Sequence, residues 1–170
     1  NALTEHREQV QKCINKYKIN YQLDGSMGFN IWTKQVESKD FSNYQLLAGR
    51  IDSDIYEEYK DITIKLFGAN DDSIPRNNRK FLTSMPIDHE IIILKEKEKS
   101  IGTACYCVSD GVAWMFGGSI FPEYRNQGIW KYMVKIRQEH SLKFGANFWF
   151  IQTVNKFIEE KSDEFFKLDC

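Results

Sequence analysis

Apolar residues recur at three- and four-residue intervals at Val10, Cys13, Ile14 and Tyr17 among charged neighbours, which predicts a surface amphipathic helix over residues 3–18. Two short apolar runs follow, Ile19 to Leu23 and Phe29 to Val36. Between them stands Asp24-Gly25-Ser26-Met27-Gly28, whose glycines permit the tight reversal of a β-hairpin. Ser38-Lys39-Asp40-Phe41 carries helix-capping residues and predicts one helix, and Asp52-Ser53-Asp54 predicts a second running to about Phe67. From Ala69 to about Ile87 the periodicity is weak and Gly, Asn, Asp and Pro collect, so the segment reads as a long loop of the kind that forms binding loops or lids.

Beyond that loop the pattern changes to strands, Glu90 to Leu94, Ile101 to Val108 and Val112 to Phe121, joined by the charged 95–100 link and by Ser109-Asp110-Gly111. That is a three-stranded antiparallel meander. Ile129, Met133, Ile136, His140 and Phe144 then mark a helix that ends towards Gly145. Phe148 to Val154 reads as a buried strand, and 156–168 as a last helix with Phe157, Ile158, Phe165 and Phe166 on its apolar side.

Composition narrows the class. With 170 residues, 42% hydrophobic and 28% charged, the chain has the makings of one ordered domain. A net charge of −1 gives no basic excess for a nucleic-acid backbone to meet, so no nucleic-acid partner is expected. The four cysteines, Cys13, Cys105, Cys107 and Cys170, form no CxxC pair, so no metal site is expected. Cys105 and Cys107 would point to one face of their strand as small hydrophobes, which suits a reducing compartment. No window approaches the roughly 18 apolar residues of a membrane span. A soluble cytoplasmic protein is the expectation, with Asn1-Ala2 read as a cloning scar or trimmed terminus.

The junction that carries chemistry is strand, then Phe121-Pro122-Glu123-Tyr124-Arg125-Asn126-Gln127-Gly128-Ile129, then helix. A turn leading into a helix leaves backbone N–H groups without intrahelical partners, and the helix dipole adds positive charge there. It is a ready anion site. Gly128 lets a bulky phosphate approach the backbone and Arg125 can add a charge-assisted contact. Pro122 ends the strand's ladder, and Gly117-Gly118 marks a candidate bulge that would splay the strand from its neighbour.

This stretch, SIFPEYRNQGIWKYMV, resembles the signature of the GNAT superfamily of acyl-CoA N-acyltransferases. The order of elements over residues 29–170 is similar too, with the core in 88–170 and residues 3–28 as an added helix and hairpin. The resemblance implies an α/β (α+β) fold, a mixed and mostly antiparallel sheet flanked by helices, lacking the family's closing strand pair. It implies that Ile120 and Phe121 pair through their backbones with the pantetheine arm of acetyl-CoA. The amides of Asn126, Gln127, Gly128, Ile129 and Trp130 would hold the pyrophosphate with Arg125, and Asn155 would contact the cofactor near the next helix. The sequence departs from the family pattern at Trp130, which stands where Gly or Ala is usual, and at Phe165-Phe166, where a tyrosine is usual. The chain also stops where the resemblance leads one to expect two more strands: either the amino-terminal helix and hairpin fill that place, a partner chain in a homodimer does, or the chain is a truncated or permuted version.

The implied activity is transfer of an acetyl group to a primary amine on a small molecule or peptide. The alternative is a GNAT-like module that holds acyl-CoA without turnover. Where the family often places its base, this chain has Trp114, Phe116 and Phe121, none able to accept a proton. Ser119 and Glu90 are the nearest polar candidates, and positioning alone can supply much of the rate. Asp52, Asp54, Glu57, Glu58 and Asp61 could attract a cationic acceptor or could form a solvated helix face.

Overall fold

The computed structural model describes residues 27–84, 86–153 and 164–168, with helical backbone also at Glu5, Glu8, Gln9, Gln11 and Lys12. The remainder of the predicted first helix, the run Ile19 to Leu23, Asn155 and the start of the predicted last helix lie outside the described residues. The strands are β1 (Met27–Trp32), β2 (Gln45–Gly49), β3 (Asp88–Glu96), β4 (Lys99–Ser109), β5 (Val112–Ile120), β6 (Phe148–Thr153) and β7 (Glu164–Leu168). The helices are α1 (Tyr56–Phe67), α2 (Ser73–Thr83) and α3 (Ile129–Leu142).

The strands form one sheet in the order β2-β3-β4-β5-β6-β1-β7. All pairs are antiparallel except β5 with β6. Ile91 to Leu94 are all buried because helices cover both faces, so the strand reads as a continuous apolar run rather than an alternation. Alternate residues serve opposite cores. Ile92, Leu94, Ala104, Tyr106, Ala113 and Met115 pack under Ile129, Met133, Val134 and Ile136 of α3. Ile91, Ile93, Cys105 and Cys107 pack under Tyr56, Tyr59 and Ile62 of α1 and Leu82 of α2. Cys105 and Cys107 are buried in that second core and form no disulfide.

Four expectations are corrected. No helix begins at Ser38: Asp40 accepts hydrogen bonds from the Ser42 amide at 2.9 Å and hydroxyl at 3.2 Å, so its side chain closes a local turn that feeds β2 instead. The predicted 69–87 loop contains α2, whose start is marked by Asp71 accepting the Ser73 amide at 2.8 Å. Pro75 falls in its first turn, where a missing N–H costs nothing. Residues 164–168 are strand rather than helix, paired with β1 from Met27↔Leu168 to Ile31↔Glu164. A short apolar run fits either period, and the open edge of β1 decides. Both edges of β1 over Gly28–Ile31 are taken by β6 and β7, so this strand is not half of a simple hairpin with its predecessor.

The connection from β1 to β2 crosses five of the sheet's six strand spacings. Its twelve residues, 33–44, reach about 40 Å when extended, against about 24 Å for five strand spacings. It passes over α3. The buried Gln138 side chain accepts from the Val36 amide at 2.7 Å and donates to the Lys34 carbonyl at 3.2 Å, while Phe41 sits 5.1 Å from the Tyr132 ring.

Candidate functional site

β5 and β6 are paired only from Val112↔Phe148 to Met115↔Ile151, although β5 continues to Ile120. The reason lies in β5. Gly117 has φ +59, a left-handed conformation, and the β4–β5 register shifts there between Thr103 and Cys105, so the predicted bulge is present. A side chain at Gly117 would meet Cys105 Sγ at 2.8 Å, with Tyr59 Oη and Asn78 Nδ2 behind it. Those three groups are linked, Tyr59 Oη to Cys105 Sγ at 3.1 Å and Asn78 Nδ2 donating to Tyr59 Oη at 3.0 Å. They brace the bulge from the α1–α2 side. Asn78 lies in the segment expected to be loop and was missed; its inward position breaks the apolar stripe that would have revealed α2.

Among the described residues, the bulge leaves the last residues of β5 with no strand on the β6 side. Phe121 donates its N–H to the Ile101 carbonyl at 3.0 Å, so Gly102↔Ile120 is a pair whose backbone groups point away from each other. Ile120 therefore turns its N–H and C=O to the side β6 has left, and its carbonyl accepts Arg125 Nε at 3.0 Å. Of the two residues expected to pair with a pantetheine arm, Ile120 keeps a free-facing N–H. Phe121 does not: its amide is used on β4 and its carbonyl accepts the Tyr124 amide at 2.9 Å.

Pro122–Tyr124 form a 3-10 turn. Tyr124 Oη donates to Glu96 at 3.1 Å and Lys99 pairs with Glu123 at 3.1 Å, which ties the turn to the β3–β4 hairpin. Asn126 at φ +62 and Gly128 at φ +90 then reverse the chain into α3. No side chain caps α3, so its first amides keep their outward direction. Gln127 donates to the Glu123 carbonyl at 3.2 Å and Arg125, Asn126, Gln127 and Gly128 are exposed, while Ile129 is buried. Trp130 does not cover the turn. Its ring lies 6.5 Å from Trp32 of β1 and packs against the core on the α3 side.

Acid–base candidates divide by face. Ser119 follows the bulge on the side of Phe121 and Phe116, towards α1 and α2. Glu90 lies on the α3 side, where it receives Tyr106 Oη at 2.7 Å, His140 Nδ1 at 2.9 Å and Lys143 Nζ. Burial alone would raise its pKa, but those hydrogen bonds outweigh burial and hold the carboxyl down at about 2. So low a value makes Glu90 a structural anion, not a base. Burial pushes the Cys105 thiol up to about 12 and the Tyr59 hydroxyl well above its ordinary value, which keeps both protonated. Phe81, Trp114 and Phe116 form edge-on and tilted contacts within 6.0 Å on the same side, so the face beside the bulge is aromatic. Phe148, Trp149 and Phe150 are core.

The acidic set of residues 52–61 is largely paired within the chain: Asp52 with Arg50 at 3.3 Å, Glu57 with Lys60, and Glu58 with Lys95 at 3.0 Å and Ser100 at 2.6 Å. A cationic acceptor finds less free charge there than the sequence suggests.

One residue of the site was not foreseen. Arg137 of α3 is wholly buried; its Nε donates to the Met133 carbonyl at 3.1 Å, and neither Nη1 nor Nη2 has a hydrogen-bond partner among the described residues. A side chain at Gly118 would meet those two nitrogens at 3.4 and 3.5 Å. Burial lowers its pKa to about 10, which leaves it charged at neutral pH. The signal was in the sequence, because Arg137 stands four residues after Met133 and eight after Ile129, on the face that α3 buries.

Among the described residues no helix is long and apolar enough to cross a membrane. No family model and no curated protein matches the sequence. Solved structures do match. A functionally unknown conserved protein of Staphylococcus epidermidis aligns with a TM-score of 0.60 at 11% identity, over 92% of this chain and 63% of its own. A GCN5-related N-acetyltransferase from Kribbella flavida aligns with a TM-score of 0.52 at 14% identity, over 77% of this chain and 49% of its own. The aminoglycoside N-acetyltransferase AAC(6')-Iy, solved with CoA, aligns with a TM-score of 0.54 at 15% identity, over 69% of this chain and 82% of its own. The chain thus spans less than two thirds of the first two. With its splayed β5 and β6, bulged β5 and uncapped turn into α3, this chain has the fold of the GNAT superfamily.

Proposed function

We propose that the chain binds acyl-CoA along the open edge of β5 and transfers the acyl group to a primary amine by direct attack on the thioester, with acetyl-CoA as the simplest donor. The observation that carries this reading is the open edge: β5 runs on past the end of its β6 ladder with the Ile120 backbone N–H turned to the side away from β4, directly before an uncapped helix start. The amides from Asn126 to Trp130 offer the pyrophosphate a site, and the Ile120 N–H offers the pantetheine a strand-like partner. The Arg125 side chain, hydrogen-bonded to the Ile120 carbonyl, fixes the turn against the strand and presents positive charge near the phosphates.

The aromatic acceptor face supplies no proton acceptor at Trp114, Phe116 or Phe121, so the amine arrives neutral or loses its proton to water. Transfer then depends on holding amine and thioester in reacting geometry. The expected pH profile follows: kcat/KM rises with pH up to the acceptor's own amine pKa and shows no earlier inflection. A lower inflection that stays fixed when the acceptor is changed would overturn this mechanism. A protein that binds the cofactor but turns over no member of a broad amine panel would support the holding-module reading instead.

Calorimetric titration with acetyl-CoA tests the binding step. Wild-type binding is expected, weakened at least about tenfold by Gly128→Asp, which sets a carboxylate beside the phosphates, and several-fold by Arg125→Ala. No binding by the wild type would overturn the assignment.

A further inference from the structure

A buried cation with two unpartnered nitrogens is an expensive feature, because a charge taken out of water is normally paired or neutralised. Arg137 is not exposed, and among the described residues Nη1 and Nη2 have no hydrogen-bond partner. Its position is not arbitrary. The guanidinium lies against Gly118, immediately beyond the bulge that frees the edge of β5, and Gly118 contributes no side chain to intervene. A chain leaving the anion-binding turn and following the open edge from Phe121 back to Gly118 travels about 10 Å. On α3, which folds back beneath that edge, Arg137 is about 12 Å from Ile129. The guanidinium therefore stands below the inner end of the track assigned above to acyl-CoA, where the acyl group would lie.

We propose that Arg137 receives a carboxylate carried by the acyl chain, so that the donor is the CoA thioester of a short dicarboxylic acid, of malonyl to succinyl size. A carboxylate is the group whose two oxygens match Nη1 and Nη2, and it satisfies both at once. A plain acetyl group leaves the cation as it is. Nε stays with the Met133 carbonyl and orients the fork towards Gly118. This inference rests on the acyl-CoA reading of the turn and of β5, and its test separates the two.

The test uses stable thioether analogues in calorimetric titrations of the whole chain: CoA itself, S-butyl-CoA and S-(3-carboxypropyl)-CoA. The expected result is that the carboxylated analogue binds at least about tenfold more tightly than S-butyl-CoA to the wild type, and no more tightly to Arg137→Met. Binding of CoA and S-butyl-CoA without any gain from the carboxylate overturns the role of Arg137 and leaves the acyl-CoA reading intact. A preference that survives Arg137→Met overturns it as well. Failure of all three ligands removes both readings. Thermal unfolding gives a second readout: without ligand, Arg137→Met is expected to melt at a higher temperature than wild type, whereas a lower melting temperature would mean that the guanidinium already has a stabilising partner within the fold. Should the variant not fold, the comparison of the two analogues on the wild type decides alone.

Discussion

Glu90→Gln is expected to destabilise the chain by about 2 to 3 kcal/mol at pH 7, because it uncouples one buried carboxylate from three donors on two elements. Tyr106 holds it from β4, and His140 and Lys143 hold it from the end of α3. The sign follows from the depressed pKa. A carboxyl ordinarily near 4.5 and held at about 2 in the fold contributes stability that is complete above pH 4.5 and is lost as pH falls towards 2. The gap between wild type and Glu90→Gln should therefore be wide at pH 7 and close steadily between pH 4.5 and 2. Denaturant unfolding of both proteins across that range measures it. A gap independent of pH would mean that packing, not charge, is what Glu90 supplies.

Gly117→Ala should do more than its single methyl group suggests. At φ +59 an L side chain is strained, and the added carbon would stand 2.8 Å from Cys105 Sγ, a distance that forces β4, β5 or the Tyr59–Asn78 brace to move. A loss of about 2 to 3 kcal/mol is expected in thermal or denaturant unfolding. The second consequence is functional: if the bulge relaxes, β5 realigns along β6 and the free edge at Ile120 disappears. Acetyl-CoA affinity should then fall even under conditions where the variant is folded. Unchanged affinity in a folded variant would show that the bulge does not create the binding edge.

How legible this site was in the sequence depended on whether its parts were local. The turn from Phe121 to Gly128, the glycine bulge and the meander are written in contiguous residues, as turn chemistry and as short apolar runs bounded by charged or glycine-containing links. They read correctly. The segment 164–168 did not, since Glu-Phe-Phe-Lys-Leu fits a helix or a strand equally and only the vacancy beside β1, contributed from the other end of the chain, settles it. Ser38–Phe41 failed for a different reason: Asp40 can cap a helix or close a turn with the same oxygens, and it closes a turn on Ser42. α2 was hidden because Asn78 spends an inward position on the Tyr59 hydroxyl. Arg137 was visible as a charge on an apolar face, but its meaning needed Gly118, which folding brings against it from the neighbouring strand.

The place of β1 between β6 and β7 carries a consequence for how the chain assembles. Gly28 must find Thr153 on one side and Lys167 on the other, so the earliest of the described strands cannot be completed until the latest two exist. Contacts so distant in sequence are slow to close, and a strand that waits for them has both hydrogen-bonding edges bare in the meantime. On a ribosome, β2 to β5 with α1, α2 and α3 can form a partial sheet well before β1 is enclosed. The rate-limiting event in folding is then expected to be the threading of β1 into the gap between β6 and β7, and a circular permutant that encodes β1 directly after β7 should fold faster while reaching the same sheet.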